Sequence, residues 1–283
     1  MNHLFVDNLT VIDFAYLDPT RGLVGESWIA DVILTGELDE QGMVFDFSAV
    51  KRTIKRIIDE RVDHRLVIPK DYSGLRIDEE APGKFEWQLK DGTRIVHRSP
   101  QEAVVFIDGD VVVPSVVASM LEKELKAVLP ANVQGVQIEL REEEIDGAYY
   151  HYVHGLKKHL GNCQRIAHGH RSPIQVRRNG HRDTDLERDW ARCWSDIYVG
   201  SEEDVTEQFV DAKGIPYITF DYEAEQGEFS LTLPLPRVYM MATDTTVELI
   251  ADHIASQCKT QYPDDEIQVK AFEGVGKGAF ALR

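Results

Sequence analysis

Apolar and polar residues alternate along several short segments, which is the pattern of strands with one buried face. In the first part of the chain the alternation predicts strands over 9–17, 27–34, 43–47 and 136–140. In the second part it predicts strands over 149–156, 172–176, 217–222, 228–233 and 267–271. Turn-forming residues at 36–42 separate two of these strands, so we expect a hairpin loop there.

Three other segments have the period of an amphipathic helix. Ser48 is placed to cap the first, in which Val50, Ile54, Ile57 and Ile58 share one face. The second covers 116–129 and is ended by a proline. The third covers 245–258, where Thr245 and Glu248 have the spacing of a capping box.

The order and spacing of the last helix and strand are the same in two segments, 1–143 and 144–283. This repetition predicts two tandem copies of one unit. Residues 179–213 are polar and irregular, and we interpret them as an insertion in the second copy. Hairpins with two helices per copy predict an α+β fold with the helices on one face of an antiparallel sheet.

Composition narrows the class of protein. At ~150 residues per domain, a chain of 283 residues is long enough for about two domains. Because 43% of the residues are hydrophobic, each half can bury a core. No apolar run approaches the ~18 residues of a membrane span, and the first residues lack the basic start of a signal peptide. Three cysteines, an odd and sparse set, indicate reduced thiols and a cytoplasmic protein.

The net charge of −18 argues against a nucleic-acid or anionic membrane partner. One segment departs from this average. Residues 151–182 contain no Asp or Glu, seven Lys or Arg, and six of the ten histidines. Because salt screens charges over ~8 Å, a ligand bound in this segment would experience the local positive charge.

His168 and His170 are the most specific local signal. Residues i and i+2 of a strand point to the same face, so two imidazoles at this spacing can bind one ion at ~2.0–2.1 Å. A neighbouring strand must supply the third ligand, for which His154 is best placed and His151 and His159 are alternatives. Three neutral histidines with an open fourth position are typical of catalytic zinc. The alternative is a histidine-rich polar surface strand.

Several motifs occur together with these histidines. In the second copy they are His154-Gly155-Leu156, Gly161-Asn162-Cys163 and His168-Gly169-His170, and in the first copy 35–39, 42–47 and Val62-Asp63-His64-Arg65-Leu66. The combination resembles the 6-pyruvoyl-tetrahydropterin synthase / 6-carboxytetrahydropterin synthase family over most of the chain. The resemblance implies two tandem tunnelling-fold (T-fold) repeats.

The resemblance also implies an activity and a cofactor. We expect a Zn²⁺-dependent lyase that converts 7,8-dihydroneopterin triphosphate to a 6-substituted tetrahydropterin. The favoured product is 6-carboxytetrahydropterin, the queuosine/deazapurine route. The alternatives are 6-pyruvoyltetrahydropterin, another zinc-dependent reaction such as hydrolysis, or a zinc- or pterin-binding protein without activity. The implied zinc ligands are His154, His168 and His170, with Cys163, Asp63 and His64 as catalytic residues.

The two copies differ in what they keep. Tyr16 or Leu17 stands where the first copy would have its first zinc ligand, and 24–27 replaces its His-Gly-His. We therefore expect zinc in the second copy only, facing the Asp-His pair of the first copy. The resemblance further implies Glu142 and Glu273 as pterin-binding carboxylates, and Arg165 and Arg171 as triphosphate-binding candidates. Folds of this family close barrels from several copies, which covers their edge strands, and two copies per chain are too few, so the resemblance implies a homo-oligomer.

Overall fold

The computed structural model describes residues 1–283. The elements of the first half, residues 1–143, are β1 (Asn2–Asp18), β2 (Gly22–Gly36), α1 (Phe47–Ala49), a π-helical segment (Val50–Lys55), α2 (Arg56–Arg61), β3 (Leu66–Pro69), β4 (Leu75–Ile77), β5 (Lys84–Gln88), β6 (Arg94–Arg98), β7 (Val104–Ile107), α3 (Pro114–Lys126) and β8 (Val133–Glu142).

The elements of the second half, residues 144–283, are β9 (Tyr149–His154), β10 (His168–Arg178), β11 (His181–Arg182), α4 (Thr184–Cys193), β12 (Ser195–Ser201), β13 (Val205–Val210), β14 (Pro216–Ala224), β15 (Gly227–Pro234), β16 (Val238–Met241), α5 (Val247–Gln261), β17 (Ile267–Phe272) and β18 (Gly278–Leu282). Short 3₁₀ turns cover Gln101–Ala103, Asn162–Gln164, Glu202–Asp204 and Leu235–Arg237.

The two halves repeat one topology. The first sheet has the order β7-β3-β1-β2-β8, and the second has β16-β12-β9-β10-β17-β18, with β11 beside β10. Strand pairs β1–β2 and β9–β10 are antiparallel, whereas β3 and β12 join them by parallel pairing. The α+β class is therefore confirmed, and each sheet is mixed because a helix connects its hairpin to the next, parallel strand.

A third sheet joins the halves. Its order is β13-β14-β15-β6-β5-β4, so three strands come from each half and meet where Leu231 pairs with His97. The sequence predicted two of these six strands, at 217–222 and 228–233. The strands of the first half were missed because they are short and carry many charged residues on their exposed face.

Several local predictions are wrong. Residues 179–213 are not an irregular insertion, because they contain α4, β12 and β13, and the first two repeat the helix and strand that follow the hairpin of the first half. The apolar pattern of α4 is hidden by its charges: Leu186 is its one fully buried apolar residue. Residues 43–47 are not a strand, and Asp46, rather than Ser48, caps the helix that follows.

Each half has its own core, and a third core connects them. The helices pack on one face of each sheet, as predicted, through residues such as Leu121 in the first half and Ile254 in the second. The third core combines Leu17 and Trp87 with Phe220. No helix has the length and apolar character needed to cross a membrane.

The hairpins of the two halves cross at a pair of glycines. A Cβ on Gly25 would lie 1.9 Å from the Tyr152 carbonyl oxygen, and a Cβ on Gly169 would lie 2.6 Å from the Gly25 Cα. Only glycine permits backbones to approach this closely. This crossing brings β1 and β2 against β9 and β10, and so places side chains of both halves beside one another.

Candidate functional site

Three histidines converge where the second hairpin opens. His154 ends β9 and pairs in register with His168, and His170 lies two residues further along β10 on the same face. All three are fully buried, and none of their Nε2 atoms has a hydrogen-bond partner. Ligand atoms of these three residues, here called the metal cluster, and of Glu273 lie within 4.8 Å of one another.

The other ring nitrogen of each histidine faces an oxygen. Nδ1 of His154 lies 2.9 Å from the Thr245 carbonyl, Nδ1 of His168 lies 3.0 Å from the Arg165 carbonyl, and Nδ1 of His170 lies 3.3 Å from Asp13 Oδ1. Oxygens at these positions favour the proton on Nδ1, which leaves the Nε2 lone pairs for an ion. Burial lowers the pKa of His154 and His168, so both are neutral. The donor set therefore fits a bound metal ion.

Asp63 and His64 approach the metal cluster from the first half. The imidazole Nδ1 lies 2.7 Å from Asp63 Oδ2, and the main-chain N–H of His64 donates to the Asp13 carbonyl at 2.7 Å. His64 has a left-handed backbone with φ of 55°, a conformation uncommon outside glycine. Its ring stacks on His168 with 5.1 Å between centroids. Burial opposes its charge, but Asp63 and Cys163 raise the pKa of His64 to about 10.

Cys163 lies in the turn between β9 and β10. Its sulfur and the ring nitrogens of His64 and His168 lie within 4.8 Å of one another. The turn is fixed by Tyr222, whose hydroxyl donates to the Gln164 carbonyl at 2.7 Å. The thiol is therefore held between the metal cluster and the Asp-His pair, an arrangement that we call the composite site.

Of the four predicted substrate-binding residues, the structure brings two to the composite site. Nη1 of Arg165 donates to the His64 carbonyl at 3.3 Å, and burial lowers the pKa of Arg165 to about 10. Oε1 of Glu273 lies 3.8 Å from Nε2 of His170. Glu273 therefore lies beside the metal cluster, and Arg165 lies beside His64.

The other two lie elsewhere. Arg171 points to the opposite face of β10 from His170, where Nη2 lies 3.4 Å from Glu142 Oε2 and the guanidinium lies 4.2 Å from the Tyr149 ring centroid. Neither Arg171 nor Glu142 contacts the metal cluster. The alternation of strand side chains explains the separation, because Arg171 follows a residue that faces the cluster.

The two alternative third ligands are also placed elsewhere. His151 Nδ1 bonds the Gly25 carbonyl at 2.7 Å, and His159 lies in an exposed loop where it accepts from the Gly161 N–H. The sequence missed Asp13 and Thr245, which both contact the metal cluster. Thr245 was predicted to cap α5, but Thr246 caps it, and Thr245 instead faces His154.

The symmetry of the halves locates a second, counterpart site. Tyr16 pairs with Val24 and Phe14 with Glu26, as His154 pairs with His168 and Tyr152 with His170. The positions of the metal cluster are thus occupied by Tyr16, Val24 and Glu26. Asp196, the second residue of β12, has the same φ of 55° and corresponds to His64.

Glu142 and Glu273 are related in the same way. Glu142 pairs with Trp28 on β2, and the register of Ile174 with Ala271, extended by two residues, sets Glu273 opposite Ser172. Glu142 therefore belongs to the counterpart site and Glu273 to the composite site.

Comparison with known proteins relates half of the chain to one family. Residues 15–152 match the family model described as 6-pyruvoyl tetrahydropterin synthase. A putative 6-carboxy-5,6,7,8-tetrahydropterin synthase of Pyrococcus horikoshii is 22% identical over 137 residues, which are 48% of this chain and 79% of that protein. The chain, at 283 residues, is about twice the length of the matched region, which is consistent with a tandem duplication.

Solved structures of similar proteins also match about half of this chain. A variant of Plasmodium vivax 6-pyruvoyltetrahydropterin synthase is 20% identical, with 51% of this chain and 93% of that chain covered and a TM-score of 0.41. The Plasmodium falciparum 6-pyruvoyl tetrahydropterin synthase is 14% identical, with 50% and 91% covered and a TM-score of 0.42.

Proposed function

We propose that this chain, of which residues 15–152 match the family model described as 6-pyruvoyl tetrahydropterin synthase, is a metal-dependent lyase acting on 7,8-dihydroneopterin triphosphate. One observation supports this most strongly. Three buried Nε2 atoms without partners converge beside a thiol and opposite an Asp-His pair that comes from the other half of the chain. A structural role does not explain three unsatisfied buried nitrogens, since burying such groups costs ~1–3 kcal/mol each.

We propose Zn²⁺ as the ion, held by His154, His168 and His170, because neutral imidazoles with an open position are a catalytic zinc donor set. The chemistry that zinc supplies when bound is Lewis-acid polarisation of side-chain oxygens of the substrate, which makes the adjacent C–H more acidic. The fully buried cluster excludes bulk water from that region.

Two groups of this chain are positioned to move protons. Cys163 accepts the proton from the substrate carbon next to the hydroxyl, and its sulfur lies beside the ring nitrogens of His64 and His168. His64, oriented by Asp63 at 2.7 Å, serves the second proton transfer. Loss of the triphosphate group then completes the elimination, and formation of the 6-carboxy product would further require entry of one water and departure of the two outer side-chain carbons as acetaldehyde.

Glu273 and Arg165 are proposed to bind the substrate. A carboxylate such as Glu273 can accept two hydrogen bonds from an aminopyrimidine edge, and it lies beside His170. Arg165, next to His64, can make charge-assisted hydrogen bonds to a phosphate oxygen. Glu142 and Arg171 pair with each other in the counterpart site, and we assign them no contact with the reacting molecule.

The product that we favour is 6-carboxytetrahydropterin, and we propose that the protein acts as a homo-oligomer in the cytoplasm. The similar Pyrococcus horikoshii protein, described as a putative 6-carboxy-5,6,7,8-tetrahydropterin synthase, supports this choice of product. The assembly is supported by the edge strand β8, whose outer side has no partner strand in the chain.

Turnover of 7,8-dihydroneopterin triphosphate by the zinc-loaded chain tests the proposal. We expect triphosphate release and a 6-carboxytetrahydropterin mass, and Cys163→Ala should lose ~10²–10⁴-fold in rate while it retains zinc. A 6-pyruvoyl mass would correct the product and keep the lyase assignment. Zinc binding without any pterin turnover would overturn the assignment in favour of a binding protein.

A further inference from the structure

The first half contributes a buried carboxylate to the metal cluster in addition to the Asp-His pair. Asp13 lies on β1 and is 2% exposed. Its Oδ1 lies 3.3 Å from Nδ1 of His170, within ion-pair distance, and that nitrogen makes no hydrogen bond within the chain. His154 and His168 face main-chain oxygens of their own half, so His170 alone depends on a side chain from the other half.

The Asp13 carboxylate is itself held in place from two sides. Ser27 Oγ donates to Oδ1 at 2.5 Å, and Lys277 Nζ lies 3.0 Å from Oδ2. The main-chain atoms of Asp13 bond Asp63 and His64, at 2.8 and 2.7 Å respectively. Asp13 thus lies beside one proposed metal ligand, His170, and bonds the proposed catalytic pair.

A turn of the second half packs directly against the Asp13 carboxylate. The turn between β17 and β18 passes over Asp13, and a Cβ on Gly274 would lie 2.1 Å from Oδ1. Gly274 also has a φ of 77°, which other residues rarely adopt. The same turn carries Glu273 and Lys277, so the residues around Asp13 form part of the composite site.

We propose that Asp13 is a positioning residue: it fixes the ring of His170, with the proton on Nδ1, so that Nε2 faces the bound ion. The inference rests on the metal site of the proposed function. A carboxylate–histidine–metal arrangement of this kind orients the ring and strengthens the ligand. It also makes metal binding in the second half depend on the first half.

The counterpart site offers a matched control. There the acid and base are exchanged: His151 replaces Asp13, Glu26 replaces His170, and their nearest atoms are 3.9 Å apart. Glu26 is 3% exposed and also lies between the two halves. Truncating Glu26 therefore disturbs a buried carboxylate at the same kind of interface without touching the metal cluster.

Zinc affinity of the full chain, measured by competition with a chromophoric chelator, tests the proposal. We expect Asp13→Ala to bind zinc ~10–100-fold more weakly, Asp13→Asn to recover part of that loss because it keeps an acceptor oxygen, and Glu26→Ala to stay within about threefold of the parent chain. An Asp13→Ala chain that binds zinc as the parent does, or an equal loss in Glu26→Ala, would overturn the role of Asp13.

A second measurement needs no variant. Two-dimensional ¹H–¹⁵N spectra of the metal-free parent chain report which nitrogen of His170 carries the proton, and we expect Nδ1. A proton on Nε2 would contradict the proposal even if the Asp13 variants fail to fold. A parent chain that binds no zinc would overturn the metal site itself, whereas tight parent binding with an unaffected Asp13→Ala chain overturns only the positioning role.

Discussion

The composite site and the counterpart site occupy equivalent places in two repeats of one topology. They differ in whether their polar side chains have hydrogen-bond partners. In the counterpart site, Arg21 makes two hydrogen bonds to Asp196, at 2.9 and 2.6 Å, and a third to the Tyr16 hydroxyl. In the composite site, the three Nε2 atoms have no partner. The backbone is therefore shared, and the identity of a few side chains decides which place can hold an ion.

The comparison also shows what each half contributes. The composite site takes its proposed metal ligands and thiol from the second half, and Asp13, Asp63 and His64 from the first. The counterpart site mixes the halves in the same way, but its charges neutralise one another. We infer that the counterpart site now serves mainly to hold the halves together.

The largest expected effect comes from substituting His154 and, as its control, Tyr16, the residue at the equivalent position of the counterpart site. His154→Ala should reduce zinc affinity more than ~100-fold, beyond the range seen for outer residues, and should abolish turnover. Tyr16→Phe should leave both unchanged, because Tyr16 contacts Arg21 rather than the ion. Zinc content after dialysis checks the pair, and equal zinc loss in both variants would refute the distinction between the sites.

The next pair is His64 and Asp196. His64→Gln should lower kcat by ~10²–10⁴-fold while zinc remains bound, since it removes one proton-transfer group. Asp196→Asn should leave kcat within about twofold, an effect below ~0.5 kcal/mol in barrier height. Steady-state kinetics on the zinc-loaded chains decide the matter, and a normal kcat in His64→Gln would remove it from the mechanism.

Glu26, in the counterpart site, should make the free energy of unfolding depend on pH. Burial raises the pKa of Glu26 to about 8, from 4.5. Between these values the folded chain holds a proton that the unfolded chain releases, so the free energy of unfolding falls as pH rises through the window and levels off above about 8. Glu26→Gln should therefore stabilise the protein at pH ~9 by up to about 5 kcal/mol and much less at pH ~5. Denaturant unfolding at both pH values checks this, and an equal effect at the two would contradict it.

The smallest expected effect is on the stability of the interface. Asp196→Asn weakens a two-point ion pair to Arg21 that is partly exposed to solvent. We expect a loss of about 1 kcal/mol in the free energy of unfolding, reduced further by salt. Denaturant titrations at low and high ionic strength measure it, and a loss that does not depend on salt would point to packing instead.

The sequence predicted what local pattern determines. The spacing of His168 and His170 predicted that their rings share one face of a strand, as they do, and the positions of β1, β2, α3 and α5 followed from periodicity. Asp13 and Thr245 could not be found, because their roles depend on contacts across the fold. α4 was missed because its buried stripe is short and its surface is highly charged.

Asp63 and His64 show the limit most clearly. As an isolated pair near a helix end they have no pattern that signals chemistry, and only the family resemblance singled them out. The structure places them beside the metal cluster because the hairpins cross at Gly25 and Gly169. No local sequence pattern predicts this crossing.

The number of zinc ions bound per chain tests the central claim most directly. Titration of the metal-free chain with zinc should show one tight equivalent, with turnover rising in proportion and reaching its maximum at that point. Two tight equivalents would mean that the counterpart site also binds an ion. None, or turnover that is independent of zinc, would contradict the composite site.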